Sequence, residues 1–105
     1  MSLPVVALAA SLSVANPAPL TLELTLKDHR FNPEKIEAPA GTRLELHVIN
    51  LDTTSEEIES YALNREKVVR ANGRIVLYLP PLPPGRYDLY GEEHPDSAQA
   101  VLEVR

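Results

Sequence analysis

The chain has 105 residues, enough for one domain around one core, and no cysteine, which excludes disulfides, zinc-thiolate and iron-sulfur sites and thiol catalysis together. Fifteen acidic against ten basic residues give a net charge of -5 with no basic cluster, an unfavourable balance for nucleic acid and a natural one for cations. Ten prolines, four glycines and many Val, Leu, Ile, Thr and Tyr residues favour short strands joined by stiff turns, hence an all-β fold.

Residues 4–15 (PVVALAASLSVA) carry no charge, are too short to span a bilayer comfortably, and run into the small residues of Asn16-Pro17-Ala18-Pro19. That is the pattern of a secretory signal's hydrophobic region and cleavage zone, although Met1-Ser2-Leu3 lacks the basic residues that open such a signal. The other reading is an apolar N-terminal strand or tail. Residues 1–18 are therefore expected to be signal or tail, and 19–105 the domain.

Leu20-Thr21-Leu22-Glu23-Leu24-Thr25-Leu26 alternates strictly and reads as a strand with one face on a core. Lys27-Asp28-His29-Arg30 is polar, and Phe31-Asn32-Pro33 is expected to break the ladder, with Phe31 tucked into the end of a sandwich. After Lys35-Ile36-Glu37-Ala38, Pro39-Ala40-Gly41 fits a tight turn in which Gly41 takes a positive φ. The next strand puts Leu44, Leu46 and Val48 on one face and Arg43, Glu45 and His47 on the other, so His47 is expected to face solvent.

Residues 50–55 (NLDTTS) have a loop's composition. Glu56-Glu57-Ile58-Glu59-Ser60 reads as a short strand that buries Ile58 and exposes Glu57 and Glu59; a helical turn capped by Ser55 is the alternative. Asn72-Gly73 is expected to close a hairpin with positive φ before the strand over 74–79. Pro80-Pro81-Leu82-Pro83-Pro84-Gly85 reads as a stiff crossover. Then come a strand from Gly85, a loop holding Glu92, Glu93, His94 and Asp96, and a last strand over Ala100-Val101-Leu102-Glu103-Val104. Seven or eight short strands with turn signals between them indicate a β-sandwich.

Phe31-Asn32-Pro33 with Ile36-Glu37-Ala38-Pro39-Ala40-Gly41, Val48-Ile49-Asn50, and Pro84-Gly85-Arg86-Tyr87 with His94 and Val101-Leu102-Glu103-Val104 resemble the cupredoxin superfamily. The resemblance implies a Greek-key β-sandwich with a metal site at one end. In blue-copper members the late loop carries Cys-x-x-His and a Met. Here Gly91 stands where that Cys would be, His94 keeps the His, Gln99 falls near the Met, and Glu56 or Glu57 replaces the earlier His. Without the thiolate a type 1 copper centre is excluded.

The segments around His29, Glu57-Ile58-Glu59-Ser60, Arg65-Glu66-Lys67-Val68 and Gly91-Glu92-Glu93-His94-Pro95-Asp96 resemble a narrower group, the small cupredoxin-like periplasmic proteins associated with bacterial iron permeases. That likeness implies ferrous-iron binding, or oxidation of ferroxidase type, before transport by an inner-membrane permease, with copper as a redox partner. His94, Glu57 and Glu59 are the expected ligands of an iron or copper ion, with Asp96, Glu66 and His29 contributing. On residue type alone, a histidine such as His94 is more often a solvated loop residue than a ligand, the resemblance in position making the two readings even, and the glutamates read as a charged strand edge. The alternative function is a metal-free module whose end loops bind a membrane or periplasmic protein. No nucleophile elbow or Ser/His/acid pattern supports a hydrolase.

Overall fold

The computed structural model describes residues 2–5 and 17–105, so most of the expected signal, residues 6–16, lies outside the described residues. Among these described residues nine strands follow in order: β1 (Leu20–Lys27), β2 (Arg30–Asn32), β3 (Lys35–Ala38), β4 (Leu44–Asn50), β5 (Glu56–Ser60), β6 (Arg65–Val69), β7 (Arg74–Leu79), β8 (Gly85–Gly91) and β9 (Gln99–Val104). They form a four-stranded sheet, β2-β1-β4-β7, facing a five-stranded one, β3-β9-β8-β5-β6. The all-β sandwich expected from the sequence is what the chain forms, and no helix among the described residues is long and apolar enough to cross a membrane.

Period-two patterning places the core. Leu24 and Leu26 of β1, Leu44, Leu46 and Val48 of β4, and Leu77 and Leu79 of β7 are buried from one sheet. Ile36, Ile58, Val69, Leu89, Leu102 and Val104 meet them from the other, with Phe31 buried as expected. Gly41 takes φ 74°, the left-handed conformation its turn requires.

Three local expectations differ from what forms. The ladder does not break before Phe31: Arg30–Asn32 pairs with β1 as a short strand, because Asp28 and His29, at φ 52° and 57°, close a two-residue hairpin with Lys27 opposite Arg30. That strand raises the count from seven or eight to nine. Asn72-Gly73 closes no hairpin within a sheet. Asn72 does take a positive φ (54°), but β6 and β7 on either side belong to different sheets, so the turn carries the chain across the sandwich. His47 points outward as expected yet is mostly covered, because Arg74 Nη2 lies 2.6 Å from its Nδ1 and Glu45 Oε2 lies 3.3 Å from its Nε2.

Candidate metal site

The topology gathers three loops at one end. β1 and β4 pair in parallel, Leu26 opposite Asn50, so the hairpin after β1 and the loop after β4 leave from the same edge. β5 starts there, and antiparallel pairing of β8 with β5, Ile58 opposite Gly91, ends β8 beside that start. His29, Asp52 with Glu56, and His94 thus come from three separate stretches to one place.

Strand alternation decides which glutamate faces inward. Glu56, Ile58 and Ser60 are buried, while Glu57 and Glu59 lie on the outer face of β5. The Glu56 side chain is only 1% exposed. Its Oε1 accepts from the Glu93 amide at 2.7 Å, and its Oε2 lies 2.7 Å from His94 Nδ1. A buried carboxylate is costly unless so partnered. Gly91 makes room for it, since a Cβ at that position would sit 2.6 Å from Glu56 Oε1 and 2.8 Å from the Ala98 Cβ.

The rings of His94 and His29 stack with centroids 3.5 Å apart and planes 12° from parallel. His29, Glu56 and His94 each offer a ligand atom, and these atoms lie within 4.8 Å of one another. Behind His29, the Asp52 carboxylate accepts from the amides of Asp28 (2.6 Å) and His29 (3.0 Å). Burial pushes the Asp52 carboxyl up, but the His29 and Asp28 amides, with the two imidazoles nearby, outweigh it and hold the group below its ordinary value. Asn50, fully buried, anchors the loop: its Oδ1 accepts from the Asp52 amide at 2.9 Å, and its Nδ2 faces the carbonyls of Thr54, Val69 and Arg70.

On the other face of β5, Glu57, Glu59, Glu66 and Glu92 form a second group whose carboxylate oxygens also lie within 4.8 Å. Hydrogen bonding to Glu66, burial and the nearby Glu92 charge push Glu57 up to about 7. Glu59 is raised by burial first and then by Glu92 and Glu66.

The expected ligands therefore divide. His94 and His29 come together, but with Glu56 rather than with Glu57 and Glu59; those two join Glu66 outside. Asp96 is exposed and belongs to neither group, and Gln99 is exposed with its Nε2 donating to the Pro95 carbonyl at 2.9 Å. Glu56, named only as a position equivalent to a His, was missing from the ligand set. The signal for it was the strand pattern: Glu56 shares the face of buried Ile58.

A two-sheet β-sandwich that collects imidazoles and a carboxylate at one end has the build of a small metal-site sandwich. The model of the cupredoxin-like domain matches residues 1–104, and the chain belongs to that family. An uncharacterized protein of Rickettsia prowazekii (strain Madrid E) is 42% identical over 85 residues, 81% of this chain and 68% of that protein. Among solved structures, the metal-binding domain of the Streptococcus pneumoniae D39 Cu(I)-exporting P-type ATPase CopA, with Cu(I), aligns with TM-score 0.72 at 13% identity, covering 81% of this chain and 84% of that one. Auracyanin A, a blue copper protein of Chloroflexus aurantiacus, aligns with TM-score 0.71 at 11% identity, covering 84% and 100%. At such identities the likeness is one of fold.

Proposed function

We propose that this is a periplasmic metal-binding protein that takes an iron or copper ion as cargo at His29, Glu56 and His94, in ferrous-iron uptake ahead of an inner-membrane permease. The observation that carries the metal reading is the convergence of those three ligand atoms within 4.8 Å, with His29 27 residues before Glu56 in sequence and His94 38 residues after it. Copper sites in the structural neighbours support it.

The donor set fits Fe(II), Fe(III), Cu(II) or Zn(II). Imidazole and carboxylate are borderline-to-hard ligands, and with no Cys and Met1 as the one Met the site offers nothing to attract Cu(I). The ring stack sets a condition. Stacked imidazoles hold their in-plane lone pairs in nearly parallel planes that do not converge on one point, so both can serve one ion only if a ring turns. His29, whose side chain is 39% exposed and whose Nδ1 is 3.5 Å from Asp52, is the less restrained.

The test is calorimetric titration of Fe(II), Cu(II) and Zn(II) at pH 7 into the protein and into Glu56→Ala, His94→Ala and His29→Ala. Saturable binding at one site, weakened in each variant, is expected. Equal binding by Glu56→Ala and His94→Ala, with loss in Glu57→Gln/Glu59→Gln instead, moves the site to the outer carboxylates; no binding of any of the three ions refutes the reading.

One observation favours a second reading. Glu56 already has hydrogen-bond partners on both oxygens without an ion. A metal-free module using these end loops to bind a membrane or periplasmic protein would look the same, and failure of all three titrations selects it.

A further inference from the structure

We infer that Asp52 is the positioning residue of this site: it fixes the backbone of His29 at the cluster while leaving the imidazole free to turn onto an ion. This rests on the metal reading of His29, Glu56 and His94.

The argument starts from the hairpin tip. Asp28 and His29 both hold a left-handed backbone, which is uncommon for residues other than glycine and persists only where the surroundings enforce it. Here the enforcement comes from the loop after β4, the strand beside β1 in the same sheet. Asp52 Oδ1 and Oδ2 accept from the two consecutive amides of that strained tip. Asp52 is itself held by Asn50, whose buried carboxamide ties the loop to the carbonyls of Val69 and Arg70 at the end of β6. A chain of hydrogen bonds thus runs from β6 through Asn50 and Asp52 to the His29 amide.

The imidazole is treated differently. Its Nδ1 stands 3.5 Å from Asp52 Oδ2, beyond a good hydrogen bond, and its main neighbour is the face of His94. A ring stacked face to face must rotate before it can share an ion with its neighbour. A residue that gripped the ring would prevent this; one that grips the amide permits it. His94 is the opposite case, its Nδ1 paired at 2.7 Å with Glu56. The site then consists of one imidazole fixed by its ring and one fixed by its backbone.

The experiment is Cu(II) titration followed by calorimetry and EPR on the full chain, comparing wild type with Asp52→Ala, Asp28→Gly and the double variant Asp52→Ala/Asp28→Gly. Circular dichroism confirms that each is folded. Loss of an outer-shell partner lowers metal affinity about 10–100-fold, the fall expected for Asp52→Ala. The EPR nitrogen hyperfine pattern should change with it, from two nitrogens to one. Glycine at position 28 accepts the left-handed backbone without help and so relieves one of the two left-handed residues; the double variant should recover part of the affinity and of the two-nitrogen signal. Asp52→Ala with wild-type affinity and spectrum overturns the proposal while leaving the site intact. A double variant as weak as Asp52→Ala also overturns it, because the effect is then the lost charge. Absence of Cu(II) binding in the wild type fails the metal reading instead, a result distinct from either.

Discussion

Gly91→Ala tests the inner site at its tightest point. A Gly to Ala change at an unstrained position ordinarily stabilises a protein by about 0.4–1 kcal/mol through the unfolded chain, and Gly91 is not among the positive-φ residues. Here the expected sign is reversed. The new Cβ would stand 2.6 Å from Glu56 Oε1, 2.7 Å from its Cδ and 2.8 Å from the Ala98 Cβ. The carboxylate is the end of a flexible side chain and could swing away, but only by giving up the Glu93 amide and His94 Nδ1. Ala98, fully buried where β9 begins, has no rotamer with which to yield. Overpacking costs about 1–3 kcal/mol, and losing a hydrogen bond to a charged group about 1.5–3 kcal/mol. A net destabilisation of about 3 kcal/mol follows, a large share of the about 5–15 kcal/mol typical of small domains.

Urea unfolding of Gly91→Ala, Glu56→Ala and the double variant measures this and separates its parts. Removing the Glu56 carboxylate takes away one of the two clashes, so the double variant should be more stable than the sum of the singles implies, with a coupling of about 0.5–3 kcal/mol. Metal binding should fall in Gly91→Ala even where the protein stays folded, since the displaced carboxylate is one of the three proposed ligands. A Gly91→Ala protein as stable as wild type, or more so, refutes the close approach of Glu56 to this backbone and with it the assignment of Glu56 as the inner carboxylate.

The other predictions concern the surroundings. Asn50→Ala leaves the carbonyls of Val69 and Arg70 and the Asp52 amide without their partner, and should cost about 2–4 kcal/mol in urea unfolding; a change under about 0.5 kcal/mol contradicts the anchoring role. Glu59 has a folded-state pKa above its unfolded value, so the folded protein holds the proton longer and stability falls as pH rises from about 4.5 through the raised value, then levels. Glu59→Gln should therefore raise Tm at pH 8 in metal-free buffer and change it little at pH 4; the reverse order would mean that the outer carboxylates are not repelling one another. A metal ion at 100 times its Kd should stabilise the wild type by about 2.7 kcal/mol and His94→Ala by clearly less, as read by thermal unfolding.

The sandwich was legible because its core strands alternate cleanly. Leu22-Glu23-Leu24-Thr25-Leu26 and Leu44-Glu45-Leu46-His47-Val48 admit only one burial pattern, and the motifs around Phe31, Gly41 and His94 supplied the order. That His94 and His29 lie at the same end was also legible, through family likeness. Position and partner were harder. Asp28-His29 contains no glycine, so nothing local announces a two-residue hairpin; the reason for it, Asp52, lies 24 residues later. Asp52 accordingly read as a loop residue of no special use.

The glutamate run shows what kind of information was missing. Three carboxylates within four positions look interchangeable, and the family likeness pointed to the exposed pair as ligands. A strand with period two cannot present all three to one loop, so one face had to be chosen, and a slip by a single residue would exchange Glu56 for Glu57. The register is set on the inner face by two residues beyond the site. Ile58 is 1% exposed in the core, and Ser60 Oγ donates to the Asp88 carbonyl at 2.6 Å while accepting from the Leu63 amide at 3.1 Å. Those contacts oblige Glu56 to point inward, where Gly91 leaves it space and His94 gives it a partner. The outward glutamates then meet Glu66 and Glu92, with the Glu59 and Glu66 backbones directly opposed, an arrangement of like charges that a β-ladder ordinarily disfavours. The buried carboxylate and the crowded outer face are thus two results of one register, and a substitution at Ile58 or Ser60 that loosens it should disturb both.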